Sequence, residues 1–225
     1  EQLHLSQSAV SRQILLLEDE LEEQLFLRVG GKIRITPAGT TLLALSRRVF
    51  EDILRGGYVA QALALPHAVT ANSLRRYGFH GLSYEHIAGA LPGALGKKAD
   101  GRVVVAHLGN GASLCAMRNR RSIATTMGFS TLDGLVMGTR CGSIDPGVLF
   151  YLMHERKMPS AAVEDLLYRQ SGLLGVSGIS NDMRTLLDSN DPRAAEAIAQ
   201  FVYRAALETG ALVAALEGID ALVFT

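Results

Sequence analysis

The chain has 225 residues, of which 48% are hydrophobic, and its 22 Lys and Arg residues balance 22 Asp and Glu residues. This composition is typical of a globular protein, and the balanced charge gives no indication of a nucleic-acid or membrane partner. No apolar run reaches the roughly 18 residues that a membrane-spanning helix needs, so we expect a cytoplasmic protein without a membrane partner. The two cysteines, Cys115 and Cys141, lack metal-ligand spacing and do not predict a disulfide framework.

The first part of the chain, up to Gly56-Gly57, is rich in charged residues and helix formers. Ser6 is a good N-cap for a helix that runs to about Leu21. Two short strands follow around a turn at Gly30-Gly31, and Thr36-Pro37 predicts the start of another helix. The outer face of the first helix and the basic hairpin suit DNA base edges and phosphates. The candidate DNA-binding residues are Gln7, Ser8, Ser11, Arg12, Arg28, Lys32 and Arg34.

The stretches LHLSQSAVSRQI and LEDELEEQLFLRVGGKIRITPAG resemble the winged helix-turn-helix of LysR-type transcriptional regulators. The resemblance covers residues 1–55 and implies a recognition helix over 6–21, a wing at Gly30-Gly31 and a dimerising linker helix over 40–54. It also implies double-stranded DNA as a partner of residues 1–57. The helices that brace the recognition helix in that family have no counterpart here. An amphipathic helix–hairpin–helix without a DNA role is the alternative.

The second part contains VVVAHLGNGASLCAM (103–117), which predicts a β-hairpin with Gly109-Asn110-Gly111 at its tip. Glycines at the tip allow backbone N–H groups to approach an anion closely. His107 and Ser113 flank this tip with polar atoms. The pattern therefore predicts a phosphate-binding loop, followed by a third strand over 121–127.

A Gly-rich loop, GLVMGTRCG (134–142), presents Arg140, whose planar guanidinium suits a transferring phosphoryl group. Read alone, Arg140 could equally be a surface ion-pair residue, and a histidine in a strand a core residue. Asp145-Pro146 predicts a helix start. The helical spacing of Ile198, Phe201, Val202 and Ala205 predicts a core-facing stripe.

The motifs RRYGFHGLSYEHIA, VAHLGNGAS, TTMGFSTLDGLVMGTRCGSIDPG, SGLLGVSGISNDMR and IDALVFT occur in that order, and together they resemble the acetate kinase family from about residue 59 to 225. The resemblance implies an α/β chain: an actin-like/sugar-kinase (ASKHA) fold fragment, preceded by the small, mostly α winged helix-turn-helix. We divide the chain into residues 1–57 and 58–225, the latter mainly the front of the second ASKHA domain. The implied reaction converts ATP and acetate to ADP and acetyl phosphate with Mg²⁺, in a homodimer.

The resemblance also assigns roles to matching positions. The implied catalytic residues are His80, in GFHG, and Arg140, in MGTR. The implied nucleotide- and phosphate-binding residues are His107, Gly109, Asn110, Gly111, Asp182, Met183 and Arg184. Where the family often has a second histidine after GFHGTS, this chain has Leu82-Ser83-Tyr84, a change to which we attach little weight.

Other family segments are not matched. Arg55-Gly56-Gly57 stands where the family carries a catalytic aspartate in an FDTAFH-type segment, and the family's GIGEN-type loop and metal-binding glutamate would follow Thr225. The resemblance thus implies that the Mg²⁺ ligand lies outside this chain and that the chain alone has negligible acetate kinase activity. Two alternatives are open: a LysR-like regulator fused to a nucleotide-binding pseudokinase module, and an accidental junction of two genes.

Overall fold

The computed structural model describes residues 11, 14–15, 17–19, 21, 23–29, 32–44, 58–70 and 74–225. The chain divides into two compact units, Glu1–Val49 and Phe50–Thr225. The predicted junction at Gly56-Gly57 and the predicted linker helix beyond residue 44 lie outside the described residues. The domain boundary at residue 57 therefore stays a prediction.

The first unit contains a β-hairpin between two helical segments. The described residues from 11 to 21 are helical (α1), and β1 (Phe26–Val29) pairs antiparallel with β2 (Lys32–Ile35). Val29 faces Lys32 in the register, which confirms the two predicted strands, whereas the predicted turn at Gly30-Gly31 lies outside the described residues. The Thr36 hydroxyl accepts a hydrogen bond of 2.9 Å from the Gly39 N–H and so caps helix α2, residues 37–44. The predicted helix start at Thr36-Pro37 is confirmed.

The second unit is a mixed α/β structure. Its helices are α3 (Tyr58–Gln61), α4 (His67–Thr70), α5 (Gly81–Leu95), a 3₁₀ turn (Gly96–Asp100), α6 (Pro146–His154), α7 (Ser160–Arg169), α8 (Gly172–Ser177), α9 (Met183–Leu187) and α10 (Pro192–Leu216). Its strands are β3 (Arg102–Leu108), β4 (Ala112–Arg118), β5 (Arg121–Thr125) and β6 (Ala221–Phe224).

The four strands form one sheet in the order β5-β4-β3-β6. Strands β3 and β4 pair antiparallel with Val103 opposite Met117, which confirms the predicted hairpin. The third strand is also confirmed, although it ends at Thr125 rather than at residue 127. Strand β6 lies parallel to β3 at the other edge.

Both faces of the sheet are covered by helices, which explains the uninterrupted apolar run in β3. Alternate residues of a strand point to opposite faces. One face packs against α5 in a cluster made of Tyr84, Leu91, Ala99, Val103, Val105, Cys115 and Met117. The other face packs against α10 in a cluster made of Val104, Ala106, Ala112, Leu114, Ala116, Met127, Leu135, Met137, Leu212 and Leu216. The hairpin tip is thus fixed between two packed layers.

Two aspartates are the N-caps of helices α6 and α10. The Asp145 carboxylate accepts from the Gly147 N–H at the start of α6, as predicted, and Asp191 accepts from the Arg193 N–H at the start of α10. In the predicted stripe on α10, Ile198, Phe201 and Ala205 pack inward. Val202 is 58% exposed, so its assignment to the core was wrong. Position 202 directly follows the inward-facing Phe201 and lies about 100° further round the helix.

In the part of the chain that the structure describes, no helix combines the length and the apolarity that crossing a membrane requires.

Candidate active site

The hairpin tip between β3 and β4 is the centre of the site. A Cβ atom added to Gly111 would lie 3.2 Å from Nε2 of His80 and 3.3 Å from Nη1 of Arg140. The absence of a side chain at Gly111 therefore leaves a gap bordered by an imidazole and a guanidinium. Backbone and side-chain N–H groups arranged in this way can surround an anion.

His80 reaches the gap from the residue that precedes helix α5. Its backbone is left-handed (φ 60°), a conformation that costs a non-glycine residue roughly 1–2 kcal/mol. Its carbonyl accepts from the Tyr84 N–H at 3.0 Å, which begins the helix. Its Nδ1 lies 2.8 Å from the Ser113 hydroxyl on β4, so that Nε2 faces Gly111.

A second imidazole, that of His107 on β3, lies beside the first. The ring centroids of His80 and His107 are 4.3 Å apart, and the Ser83 hydroxyl lies 3.0 Å from Nδ1 of His107. Burial, followed by the proximity of His107 and Arg140, lowers the pKa of His80 to about 4. Burial also lowers the pKa of His107. Both rings are therefore neutral at neutral pH.

Arg140 is held by the packing of its loop against helix α8. The N–H groups of Leu173 and Leu174 donate to the carbonyls of Met137 and Gly138, both at 2.9 Å. The Arg140 Nη1 donates to the Thr131 carbonyl at 3.3 Å, and no described carboxylate forms an ion pair with it. By contrast, nearby Arg76 is paired with Asp133 at 3.1 Å. Arg140 is thus a cation that faces the gap without a counterion among the described residues.

An open cleft of about 560 Å³ lies beside the hairpin tip. It is lined by Leu108, Gly109, Asn110, Gly138, Leu173, Asn181, Asp182, Met183, Arg184 and Phe201. The Asn181 amide donates to Oδ1 of Asn110 at 3.4 Å and ties the tip to the opposite wall. Asp182 caps helix α9 and also pairs with Arg184 at 2.7 Å.

Residues 58–225 match the family model described as the Acetokinase family. The chain belongs to the acetokinase family. Residues 1–40 match a second model, described as bacterial regulatory helix-turn-helix protein, lysR family. The predicted combination of a LysR-type segment with an acetate kinase segment is thereby confirmed.

Similar proteins cover between 74% and 96% of this chain. An acetate kinase of Rhodopseudomonas palustris (strain TIE-1) is 68% identical over 168 residues, which are 74% of this chain and 42% of that protein. The crystal structure of Porphyromonas gingivalis acetate kinase has a TM-score of 0.71 at 37% identity, covering 74% of this chain and 43% of that one. The crystal structure of a propionate kinase from Francisella tularensis has a TM-score of 0.69 at 26% identity, and the match covers 96% of this chain and 68% of that one. These similarities confirm the predicted α/β ASKHA fold, while the chain spans less than half the length of the curated relative.

The sequence-predicted residues of this chain fall into two neighbouring groups. His80, His107, Gly111 and Arg140 meet at the gap, whereas Gly109, Asn110 and the Asp182–Arg184 segment line the cleft. Arg140 was alternatively expected to be a surface ion-pair residue, but it forms no ion pair with the described residues. The roles themselves stay predictions.

Sequence reasoning missed two residues of helix α5, Ser83 and Tyr84. Ser83 contacts His107, and the Tyr84 hydroxyl lies 2.5 Å from Oγ of Ser113, which in turn contacts His80. Tyr84 stands where the family often has a second histidine, and this departure was the available signal, whereas Ser83 matches the serine of the GFHGTS motif. These two side chains support both imidazoles through hydrogen bonds, while the weight of the change for the chemistry stays a prediction.

The described residues do not fit a protein-held magnesium site. No group of three or more His, Cys, Asp or Glu side chains in the described ranges could hold a metal ion. The gap itself is bordered by two imidazoles and a guanidinium, which are not the oxygen ligands that Mg²⁺ prefers. That the Mg²⁺ ligand lies outside this chain stays a prediction.

The candidate DNA-binding residues belong to the first unit. Ser11 on α1 and Arg34 on β2 are exposed, and Arg28 and Lys32 are members of β1 and β2. Gln7, Ser8 and Arg12 lie outside the described residues.

Proposed function

We propose that residues 58–225 form the phosphoryl- and nucleotide-binding part of an acetate kinase active site. In this reaction a carboxylate oxygen of acetate attacks the γ-phosphorus of ATP, the bond to the β–γ bridging oxygen breaks, and ADP and acetyl phosphate result. The observation that carries the proposal is the gap at Gly111, bordered by two neutral imidazoles and by a guanidinium that has no ion-pair partner among the described residues.

The charges at the gap match the needs of phosphoryl transfer, which depends mainly on positioning and charge stabilisation. Arg140 supplies a permanent positive charge and a planar set of donors. The neutral imidazole of His80 supplies an N–H donor at the same gap, and its low pKa means that Arg140 is the charged group of the two at neutral pH. We assign both residues to contacts with the equatorial oxygens of the transferring group.

The cleft beside the hairpin tip is the proposed nucleotide site. Its wall of Met183, Leu173 and Phe201 offers apolar surface to a base, and its other wall contains the tip residues Gly109 and Asn110. The phosphates of a nucleotide in this cleft would extend past the tip toward Gly111. This arrangement supports ATP and ADP as ligands, and it supports the nucleotide-binding roles of Asp182, Met183 and Arg184.

The test is ligand-dependent stabilisation of the full chain, because the chain spans only 42% of the length of the Rhodopseudomonas palustris relative. We expect ADP and ATP to raise the free energy of unfolding, by about 2.7 kcal/mol at a hundredfold excess over Kd. Arg140→Ala should remove most of the stabilisation by ATP. Arg169→Ala, which removes an exposed arginine on α7, is the charge-matched control. Equal stabilisation of the two variants would contradict the proposal.

Turnover is a separate measurement. We expect acetyl phosphate formation by this chain alone to be negligible, because Arg55-Gly56-Gly57 replaces the aspartate segment implied by the family resemblance. Hydroxamate trapping of acetyl phosphate tests this. ATP-dependent formation that disappears in Arg140→Ala would contradict the expectation of negligible turnover while supporting the assignment of Arg140.

A second function, DNA binding by residues 1–57, is favoured by the match of residues 1–40 to the lysR-family helix-turn-helix. Exposed Arg34 on the hairpin is the described residue best suited to a phosphate contact. In gel shifts with a short inverted repeat, Arg34→Ala should weaken binding equally for all sequences and reduce the salt slope by about 1. Absence of binding by the parent chain at low salt would refute this function.

We also propose a homodimer, by family resemblance, and a cytoplasmic location, from the sequence. Sedimentation equilibrium of the full chain tests the first, and fractionation of cells that express it tests the second.

A further inference from the structure

A chain of three side chains runs from helix α5 through strand β4 to the gap. The Tyr84 hydroxyl lies 2.5 Å from Oγ of Ser113, and this Oγ lies 2.8 Å from Nδ1 of His80. Ser113 is completely buried and Tyr84 is only 5% exposed. Solvent therefore does not compete for these hydrogen bonds. The phenol also has a hydrogen bond with the backbone of His107, which lowers its pKa and therefore comes from a donor.

The direction follows from the proton on Tyr84. Burial raises the pKa of this phenol well above its ordinary value, so the hydroxyl is neutral and carries a proton to donate. Among the described residues, the side-chain acceptor within reach of that proton is Oγ of Ser113. A buried phenol that fails to donate would leave an unsatisfied polar group, which is costly. Tyr84 thus donates to Ser113, and the Ser113 proton is directed to Nδ1 of His80.

This direction determines which nitrogen of His80 carries its proton. A neutral imidazole has one N–H, and a nitrogen that accepts a hydrogen bond cannot hold that proton. If Nδ1 accepts from Ser113, the proton resides on Nε2, the atom that faces Gly111 and Arg140. The opposite tautomer would direct a lone pair at the gap and would repel the oxygens of an anion.

We propose that Tyr84, acting through Ser113, is a positioning residue that keeps His80 in the Nε2–H tautomer so that it donates to a phosphoryl oxygen. The consequence for phosphoryl binding rests on the proposed function. The tautomer itself does not, because the hydrogen-bond chain is complete without a ligand.

His107 provides an internal reference for the same measurement. Its Nδ1 contacts the hydroxyl of Ser83, which is the neighbour of Tyr84 on helix α5 but takes no part in the Tyr84–Ser113–His80 chain. Tyr84 also contacts His107, through its ring at 6.5 Å and through a backbone hydrogen bond, whereas Nδ1 of His107 contacts Ser83. A change at Tyr84 that acts through Ser113 should therefore alter His80 and leave the tautomer of His107 as it was. A general loosening of helix α5 would alter both rings.

The experiment is long-range ¹H–¹⁵N correlation spectroscopy of the ligand-free full chain, labelled with ¹⁵N-histidine, at neutral pH. The signals of His80 are assigned by their loss in His80→Gln. We expect the parent chain to show a protonated Nε2 and an accepting Nδ1. Tyr84→Phe should move His80 toward the Nδ1–H form, since Ser113 is then free to accept. Tyr203→Phe, which removes an exposed hydroxyl on α10, should change nothing.

Two results would overturn the proposal: an Nδ1–H tautomer of His80 in the parent chain, or an unchanged Nε2–H tautomer in Tyr84→Phe. If Tyr84→Phe does not fold, the His80 tautomer is compared between the parent chain and Ser113→Ala, which removes the middle member of the hydrogen-bond chain. The Kd for ATP measures the functional consequence. Equal populations of the two tautomers would raise Kd about twofold, in proportion to the competent fraction. If the parent chain fails to bind ATP but its His80 is in the Nε2–H form and Tyr84→Phe shifts this tautomer, the proposed function fails and the positioning role of Tyr84 stands.

Discussion

The imidazoles of His80 and His107 lie with their centroids 4.3 Å apart and their planes inclined by 32°. Two rings this close cannot both become charged at low cost, and the nearby guanidinium of Arg140 adds to the repulsion. The two histidines therefore make the stability of the fold depend on pH, and they are also part of the candidate site.

The first prediction concerns stability in acid. The pKa of His80 is 6.5 in the unfolded chain and about 4 in the folded one, so the unfolded state binds more protons between these values. Stability from a neutral His80 is complete above pH 6.5 and declines as the pH falls toward 4. In urea unfolding over this range, His80→Gln should show a shallower pH dependence than the parent chain. His86→Gln, at an exposed histidine of the same helix, is the control, and identical slopes for the parent and His80→Gln would refute the prediction.

The second prediction uses the open space at Gly111. An added Cβ would lie 3.2 Å from His80 Nε2 and 3.3 Å from Arg140 Nη1, both at the ends of side chains that can shift slightly. Gly111→Ala should therefore fold, but its methyl group fills the space proposed for the phosphoryl group. We expect the Kd for ATP to rise about tenfold, which is ~1.4 kcal/mol.

Gly89→Ala on helix α5 serves as the matched control, because no atom lies within 4 Å of the added Cβ there. Calorimetric titration of both variants with ATP decides the matter. Unchanged affinity in Gly111→Ala would mean that the phosphates do not enter the gap.

The main features of the site could be predicted from local sequence. The β3–β4 hairpin follows from two apolar runs around Gly109-Asn110-Gly111, and the helix start at Asp145 follows from a capping residue before proline. These features depend on residues close together in the chain, for which sequence patterns are informative.

The contacts that complete the site depend on tertiary packing instead. Tyr84 and Ser113 are 29 positions apart and meet only because helix α5 packs on that face of the sheet. The parallel pairing of β3 with β6 joins residues such as Val103 and Ala221 across most of the second unit. The left-handed backbone of His80 has no local signal either, since a glycine, Gly81, is the next residue and would adopt it more readily.

The third prediction concerns the contact that holds the Arg140 loop. Gly172 has a φ of +63°, and an added Cβ would lie 2.2 Å from the Met137 carbonyl oxygen and 2.7 Å from that of Arg140. Gly172→Ala must therefore combine a strained backbone with displacement of the loop. We expect a loss of about 2–4 kcal/mol in the free energy of unfolding. Urea unfolding measures this, and a loss below about 1 kcal/mol would show that the loop adjusts freely.

The fourth prediction concerns a glycine whose replacement by alanine should stabilise the fold. Gly210 lies within helix α10, is exposed, and has no atom within 4 Å of an added Cβ. Alanine there reduces the conformational freedom of the unfolded chain and introduces no clash, so Gly210→Ala should raise the free energy of unfolding by about 0.5–1 kcal/mol. The same urea experiment measures it beside Gly172→Ala. If Gly210→Ala were destabilising instead, the outer face of α10 would have to be covered in solution, and the oligomeric state of the variant would then differ from that of the parent chain.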